Sequence, residues 1–183
     1  PFLCFEWTHG ATYRVQTHLI GTYNITNMLA AITIGLRFGV SPEQICHALE
    51  HYIPSNNRSQ LTVTQRNSLI VDAYNANPTS MKAAVDNFAF MQVDHKMAIL
   101  GDMRELGAAS HEEHQRIADH IASLGLKDVW LVGEEFAHTD TAYRKFADVE
   151  EVKQALADND IRDHYILIKG SNGIHLYELP PLL

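Results

Sequence analysis

Short apolar runs alternate with amphipathic stretches through the last two thirds of the chain. The apolar runs lie at 61–64, 69–72, 97–101, 128–133 and 165–170. Between them, apolar residues recur at helical spacing after residue 77, from about 110 to 124, and from 149 to 158. Strands that are apolar throughout and separated by helices are typical of a parallel sheet covered on both faces. The pattern therefore predicts an α/β fold with a mostly parallel sheet.

The first part of the chain has a different pattern. One alternating segment, 11–16, predicts a strand, and apolar residues at helical spacing from Asn24 to Phe38 predict a helix. The pair Ser41-Pro42 predicts the start of a second helix, which continues to about His51. The polar connector 54–59 has the composition of a loop or an interdomain hinge. We therefore expect one unit in residues 1–53 and another in residues 54–183.

Composition removes several classes of protein. The 183 residues carry a net charge of −8, with 14 basic and 22 acidic side chains, which argues against a nucleic-acid-binding surface. No apolar run approaches the roughly 18 residues that a membrane-spanning helix needs. Cys4 and Cys46 are the only cysteines, and their wide separation fits neither a disulfide framework nor a zinc site. We therefore expect a cytoplasmic protein with no membrane insertion and no nucleic-acid partner.

Polar residues follow the predicted parallel strands. In open α/β sheets, ligands bind beyond the carboxyl ends of the strands. These ends collect Asp72, Asn75, Asn77, Asp102, Arg104, Glu105, Lys169 and Ser171. Each loop taken alone also fits a simpler interpretation, because Asn, Asp and Gly favour turns and Asn77 can cap the following helix. With Gly133-Glu134 at the end of the run 128–133, four such loops share one edge and favour a binding site.

Several catalytic motifs are absent from the sequence. There is no Gly-x-x-x-x-Gly-Lys-Ser/Thr phosphate loop, and no Gly-x-Gly-x-x-Gly follows a strand. His111 and His114 do not have the spacing of a zinc-protease helix, so a solvated helix start is the simpler interpretation. Cys46, inside a predicted helix, is most simply a small core residue. The residues alone indicate no catalytic side chain and no metal ligand. Because the chain begins with Pro1 rather than Met, we interpret it as a piece of a longer protein.

Several segments together resemble one enzyme family. Residues 21–31, Gly-Thr-Tyr-Asn-Ile-Thr-Asn-Met-Leu-Ala-Ala, resemble the Gly-x-His-Asn-x-x-Asn-x-x-Ala-Ala segment of the muramyl ligases. Residues 72–81, Asp-Ala-Tyr-Asn-Ala-Asn-Pro-Thr-Ser-Met, and 101–107, Gly-Asp-Met-Arg-Glu-Leu-Gly, resemble the branch that adds D-alanyl-D-alanine to UDP-N-acetylmuramoyl tripeptide. The Lys-Gly-Ser of 169–171 fits the same branch. The sequence departs from the family at Tyr23, where His is usual, and at Ala73.

The resemblance implies a parent protein of three domains: one for the UDP-sugar, a central ATPase domain with the phosphate loop, and a C-terminal Rossmann-like domain. Residues 1–53 are then the helical tail of the central domain, and 54–183 are the C-terminal domain. The implied activity is ATP-dependent amide-bond formation in peptidoglycan synthesis through an acyl phosphate, with Mg²⁺ offsetting phosphoryl charge. The Mg²⁺ would be bound mainly outside this chain, which alone is expected to be inactive. The parent is expected to be a monomer.

The resemblance also implies ligand contacts, position by position. Those for the nucleotide are Asn24, Asn27, Arg58 and Asp72, and those for the substrates are Asn75, Asn77, Asp102, Lys169 and Ser171. An asparagine amide can both donate to and accept from a purine edge. Lys169 and Ser171 are the candidates for the dipeptide carboxylate.

Two other interpretations remain open at this point. One is a sister ligase, either another muramyl ligase or folylpolyglutamate synthetase. The Asn-Ala-Asn-Pro sequence of residues 75–78 favours the D-alanyl-D-alanine branch over these. The other is a non-catalytic α/β module that binds a nucleotide or a partner protein. The absence of a phosphate loop from the rest of the gene would favour the second.

Overall fold

The computed structural model describes residues 2–54 and 59–183. Its first part contains a β-hairpin followed by two helices. These elements are β1 (Phe2–His9), β2 (Ala11–Ile20), α1 (Ile25–Arg37) and α2 (Pro42–His51). Both predicted helices are confirmed. Ser41 caps α2 as expected: its hydroxyl accepts from the Gln44 amide, and the Gln44 side chain accepts from the Ser41 amide.

The strand predicted at 11–16 is longer than expected, and it has a partner that the sequence analysis did not predict. β2 pairs antiparallel with β1, and the register shifts between Phe2 and Cys4. The extra residues of this irregularity lie in β2, and β1 keeps its alternation, with Leu3 and Trp7 buried and Cys4 and Glu6 exposed. Helices α1 and α2 pack on this hairpin. The buried apolar side chains between them are Leu3, Trp7, Val15, Leu19, Met28, Ile32, Ile45 and Leu49.

The second part is a six-stranded sheet with helices on both faces. Its elements are β3 (Gln60–Val63), β4 (Ser68–Asp72), α3 (Pro78–Phe90), β5 (Lys96–Gly101), α4 (Ser110–Ser123), β6 (Asp128–Val132), α5 (Glu134–Ala137), β7 (Arg144–Phe146), α6 (Val149–Asp158) and β8 (Tyr165–Lys169). The strand order is β3-β4-β8-β5-β6-β7, and every neighbouring pair is parallel except β3–β4. The predicted α/β class is confirmed, and β3 and β4 form a hairpin around the polar turn Arg66-Asn67. β7 and α5 are too short for a periodic pattern to show them.

Two apolar cores lie on opposite faces of this sheet. Helices α3, α4 and α5 cover one face, where Phe88, Ile121 and Phe136 are fully buried. Helix α6 and the residues after β8 cover the other, around Val152 and Leu176. Because both faces are covered, the sheet is open to solvent mainly at the ends of its strands. Among the described residues, no helix is long and apolar enough to cross a membrane.

The two parts of the chain touch at the end of the hairpin. Ile20, the last residue of β2, is fully buried in the core beneath α3 and α4. The Tyr23 hydroxyl lies 2.7 Å from the Ser59 hydroxyl, just before β3. These contacts place the start of α1 beside the sheet.

Candidate functional site

The strand order brings the predicted polar loops to one edge. β8, the last strand in the sequence, lies between β4 and β5 and is parallel to both. In this register Lys169 faces Asp72 on one side and Leu100 on the other. The carboxyl ends of β4, β8 and β5 therefore meet, as is usual for ligand sites of open α/β sheets.

An ion pair occupies the junction of β4 and β8. Lys169 Nζ donates to Asp72 Oδ2 at 2.6 Å and to the carbonyl oxygen of Asn75 at 3.2 Å. The lysine side chain is only 1% exposed, whereas Asp72 is 14% exposed. A buried ammonium needs such partners, because its desolvation is costly. Lys169 therefore fixes both Asp72 and the loop that carries Asn75.

The carboxylate at the end of β5 is held differently. Asp102 accepts the backbone N–H groups of Glu135 and Phe136, at 3.0 and 2.9 Å, in the first turn of α5. Burial raises the pKa of Asp102, and these two hydrogen bonds oppose that shift. Gly133 makes the approach of α5 possible: its φ is +120°, and a Cβ there would overlap the Asp102 carboxylate. Asp102 thus joins the end of β5 to the segment after β6.

The loop after β5 borders a cleft of about 800 Å³. Its walls come from residues 102–107, 133–135, 147–149 and 173–175, together with Ser110. The Arg104 N–H donates to Ser171 Oγ at 2.9 Å, and its guanidinium donates to the Gly173 carbonyl at 3.0 Å. Ser171 N–H in turn donates to the Asp102 carbonyl at 3.1 Å. The loops after β5 and β8 therefore form one connected wall.

His114 is a correction to the sequence analysis, which interpreted this histidine as part of a solvated helix start. The side chain is fully buried on the inner face of α4. Its Nε2 accepts the Met103 N–H at 3.0 Å, and its Nδ1 lies 2.7 Å from the Ser110 carbonyl oxygen. His111, one turn earlier, is exposed as expected.

The two asparagines after β4 have different surroundings. Asn77 caps α3: its Oδ1 accepts the Ser80 N–H at 2.8 Å, and Ser80 Oγ accepts the Asn77 N–H at 3.1 Å. The simpler structural interpretation of Asn77 is therefore confirmed, and its ligand role stays a prediction. The Asn75 side chain is exposed. A second cleft, of about 640 Å³, borders Asn77, the first turn of α3, Tyr23 and Glu113.

The asparagines at the start of α1 are linked to each other. Asn24 Nδ2 donates to the Ile20 carbonyl at 2.9 Å, and Asn27 Nδ2 donates to Asn24 Oδ1 at 3.1 Å. Asn24 is buried and Asn27 is exposed, so Asn27 presents the more accessible amide. Their purine contacts stay predictions. Arg58 lies outside the described residues, as does most of the 54–59 connector.

Tyr23 lies where the two parts of the chain meet. Burial raises the pKa of Tyr23 to about 12; the hydrogen bond with Ser59 opposes this shift, and the nearby Asp72 carboxylate adds to it. The hydroxyl therefore stays protonated near neutral pH and can donate. In the described residues, no group of three or more His, Cys, Asp or Glu side chains is arranged to hold a metal ion.

Comparison with known proteins decides the family. A family model described as Mur ligase, glutamate ligase domain, matches residues 57–172, more than half of the chain. The chain belongs to the Mur ligase family. The resemblance stated from the loop motifs is thereby confirmed, and the match includes the loops after β4 and β5 and most of that after β8.

The chain is similar in sequence to one branch of the Mur ligases. The chain is 31% identical over 181 residues to the UDP-N-acetylmuramoyl-tripeptide–D-alanyl-D-alanine ligase of Treponema pallidum, covering 92% of this chain and 39% of that protein. It is 30% identical to the Bacillus subtilis enzyme of the same name, covering 88% of this chain and 38% of the enzyme. The chain thus spans about two fifths of the length of these relatives.

Solved Mur ligase structures share the fold. MurF from Acinetobacter baumannii superposes with a TM-score of 0.83 at 28% identity, over 97% of this chain and 41% of that one. MurF from Thermotoga maritima in complex with ADP gives 0.80 at 17% identity, over 99% and 45%. A folylpolyglutamate synthase/dihydrofolate synthase from Yersinia pestis gives 0.63 at 18% identity, covering 97% and 43%. The last two likenesses concern the fold alone.

Proposed function

We propose that this chain is part of an ATP-dependent ligase that joins D-alanyl-D-alanine to UDP-N-acetylmuramoyl tripeptide in peptidoglycan synthesis. The observation that carries the proposal is the identity of about 30% with enzymes of that name over nearly all of this chain. The loops that carry the motifs of that branch, 72–81 and 101–107, lie at one sheet edge. This favours the D-alanyl-D-alanine branch over a sister ligase. The division into 1–53 and 54–183 is part of the proposal.

The chemistry of such a ligase explains why two ligands must meet near this edge. A carboxylate is a poor electrophile, so ATP first converts it to an acyl phosphate, and Mg²⁺ would offset the phosphoryl charge. The incoming amine then attacks, and phosphate leaves. The described residues contain no metal cluster. As part of the proposal, this chain binds and orients the nucleotide and the amine, and Mg²⁺ would be held mainly by the rest of the enzyme.

We place the dipeptide at the cleft of about 800 Å³ between the loops after β5 and β8. Ser171 Oγ accepts the Arg104 N–H and so keeps its own proton to donate to a carboxylate. The Arg104 guanidinium is exposed nearby and supplies a positive charge. The charge of Lys169 is already matched by Asp72, so its action on the dipeptide would be indirect, through the loop that carries Asn75. Asp102 shapes the wall of the cleft.

We place the nucleotide on the other side of the edge, where α1 meets β4. Asn24 and Asn27 start α1, Tyr23 brings this helix beside Asp72, and Arg58 belongs to the intervening connector. The linked amides of Asn24 and Asn27 support a contact with a planar group that both donates and accepts, such as a purine.

The decisive experiment compares different amine substrates in the complete enzyme that contains this chain. Phosphate release is measured with ATP, UDP-N-acetylmuramoyl tripeptide and one amine at a time: D-alanyl-D-alanine, D-alanine, or an amino acid used by a sister ligase. We expect release with D-alanyl-D-alanine and background with the others. Release with the sister ligase's amino acid, but not with the dipeptide, would reassign the chain to that sister ligase. No release with any amine would favour the non-catalytic module.

A further inference from the structure

His114 lies beneath the proposed dipeptide cleft, and the function proposed above gives it no role. The ring is fully buried and meets the Phe136 ring edge to face, with 4.7 Å between centroids. Nearly all buried polar atoms in folded proteins have hydrogen-bond partners, and here both ring nitrogens do. The partners fix which nitrogen carries the proton.

The two nitrogens face groups of opposite character. The nearer partner of Nδ1 is the Ser110 carbonyl oxygen at 2.7 Å, which can only accept, so Nδ1 carries a proton; the Ser110 hydroxyl is farther away, at 3.4 Å. The Met103 backbone N–H, 3.0 Å from Nε2, can only donate, so Nε2 must present its lone pair. The arrangement therefore requires a neutral imidazole with its proton on Nδ1.

One carboxylate also faces this ring, so the contact of Nε2 with the Met103 N–H, and not the surrounding charge, identifies the neutral form. Asp102, from the β5–α4 loop, has Oδ1 3.6 Å from Nε2, and α5 contributes the apolar Phe136 ring. A cationic ring would turn its Nε2 proton toward this carboxylate and abandon the Met103 N–H. The carboxylate already receives two amides of α5. Protonation would therefore break one of the contacts that hold the loop.

We propose that His114 is a positioning residue: as the neutral Nδ1–H tautomer it anchors Met103 and thereby sets the loop that carries Arg104 to the cleft. The next N–H in the chain, that of Arg104, donates to Ser171, so one anchor orders two residues of the cleft wall. The proposed function supplies only the identity of the cleft's ligand. The anchor itself can be tested without any ligand.

The first test is the tautomer. Long-range ¹H–¹⁵N spectra of the 183-residue chain, with the His114 signals assigned from their loss in His114→Gln, show which ring nitrogen is protonated. We expect Nδ1 protonated and Nε2 unprotonated at neutral pH. A cationic ring, or a proton on Nε2, at neutral pH would overturn the proposal.

The second test separates positioning from packing. In His114→Gln the longer amide can place its oxygen where Nε2 accepts, whereas in His114→Asn it falls short. Amide hydrogen exchange at Met103 and Arg104 should accelerate roughly tenfold in His114→Asn and by no more than about twofold in His114→Gln, the range expected for one hydrogen bond. The Leu131 amide, in the central sheet, is the internal control. Equal acceleration in both variants, or at Leu131, would reduce His114 to a packing residue.

A kinetic readout connects the anchor to the cleft. In the complete enzyme, His114→Asn should raise the KM for D-alanyl-D-alanine several-fold with the KM for ATP unchanged, and His114→Gln should restore most of the loss. An equal rise in both KM values would contradict positioning at the cleft. If the enzyme proves to ligate no dipeptide, the proposed function fails, but the tautomer and exchange results still decide the anchor.

Discussion

Asp72 and Asp102 end strands of the same sheet, yet the protein holds their carboxylates in two different ways. Asp72 receives a charged donor, Lys169 Nζ, at 2.6 Å. Asp102 receives two backbone amides of α5, at 2.9 and 3.0 Å, and burial raises its pKa. A side-chain partner can be deleted by one substitution, whereas an amide partner can be removed only by changing the backbone path. Substitution of Lys169 alone therefore removes the donor to Asp72, whereas the donors to Asp102 are lost only when the backbone of α5 moves.

The two arrangements also lie on different sides of the proposed site. The Asp72 pair fixes the start of the 72–81 loop, next to Tyr23 and the start of α1. The Asp102 contacts fix the 102–107 loop, next to Ser171 and the cleft. If nucleotide and dipeptide bind as proposed, disturbance of the first should affect ATP and disturbance of the second should affect the dipeptide.

The largest expected effect is the loss of the ammonium that pairs with Asp72. Lys169→Met leaves a carboxylate without its partner at a buried position, and breaking such a pair typically costs about 3–5 kcal/mol of unfolding free energy. Urea unfolding of the 183-residue chain measures it. Lys153→Met is the matched control, because Lys153 pairs with Glu150 and Glu178 near the surface, where an ion pair contributes little, so its loss of stability should be much smaller.

A second variant shows whether the unpaired charge causes that loss. Adding Asp72→Leu to Lys169→Met removes the stranded carboxylate, so the double variant should recover much of the stability. A double variant no more stable than Lys169→Met would attribute the loss to packing. Equal effects of Lys169→Met and Lys153→Met would show that the buried pair has no special importance.

The arrangement around Asp102 is tested at Gly133. Gly133→Ala combines a backbone at φ +120° with a Cβ that overlaps the Asp102 carboxylate, so we expect a loss of about 2–4 kcal/mol. Gly125→Ala is the control: its φ is +72°, nothing lies within 4 Å of its Cβ, and it should lose about 1–2 kcal/mol. Urea unfolding measures both. Equal losses would mean that backbone strain alone matters and that the Asp102 contact contributes nothing.

The polar residues at the edge of the sheet could be predicted from the sequence, but the hydrogen-bond partners of their side chains could not. Asp72, Asp102, Lys169 and Ser171 follow apolar strands, and parallel strands bring such residues to one edge. The partners of Asp102 are backbone amides, which any residue supplies and no motif marks. The pairing of Asp72 with Lys169 depends on β8 lying beside β4, an order that composition does not encode.

His114 is a residue for which the sequence did contain a signal. It shares one helical face with Ile117, Ala118 and Ile121, all buried, at spacings of three, four and seven residues. The spacing between His111 and His114 does not reveal this face, because His111 lies outside it. Strand β1 also contained a signal, because Leu3, Phe5 and Trp7 lie on its inner face and alternate with the exposed Cys4, Glu6 and Thr8.

A smaller effect, on KM, distinguishes the proposed dipeptide side of the site from the proposed nucleotide side. Ser171→Ala in the complete enzyme removes the buried hydroxyl that accepts the Arg104 N–H beside the cleft, so the KM for D-alanyl-D-alanine should rise about two- to tenfold while the KM for ATP stays within about twofold. Ser123→Ala, which removes an exposed hydroxyl from the end of α4, should change neither value. A rise confined to ATP would place the nucleotide, not the dipeptide, at this cleft.

The smallest expected effect is a pH dependence of the unfolding free energy, which should differ in sign between a carboxylate bound by backbone amides and one paired with cations. Because the folded-state pKa of Asp102 is raised, its folded form binds the proton more tightly than its unfolded form. Its contribution to stability is therefore present below the unfolded pKa and declines as the pH rises through the raised folded pKa. Asp102→Asn loses stability at every pH, since its NH₂ cannot accept an α5 amide. Its deficit relative to wild type should nevertheless shrink as the pH rises.

Asp86 supplies the opposite sign in the same molecule. Burial tends to raise its pKa, but hydrogen bonds from Lys82 and His120, both at 2.5 Å, prevail and lower it. Its contribution is then present near neutral pH and is lost as the pH falls through the lowered folded value, so the deficit of Asp86→Asn should grow as the pH rises. Urea unfolding of both variants and wild type at several pH values gives the two slopes. Slopes of the same sign would show that Asp102, despite its burial, is stabilised as a charge by the α5 amides, and the contrast between amide-held and cation-paired carboxylates would then lose its electrostatic basis.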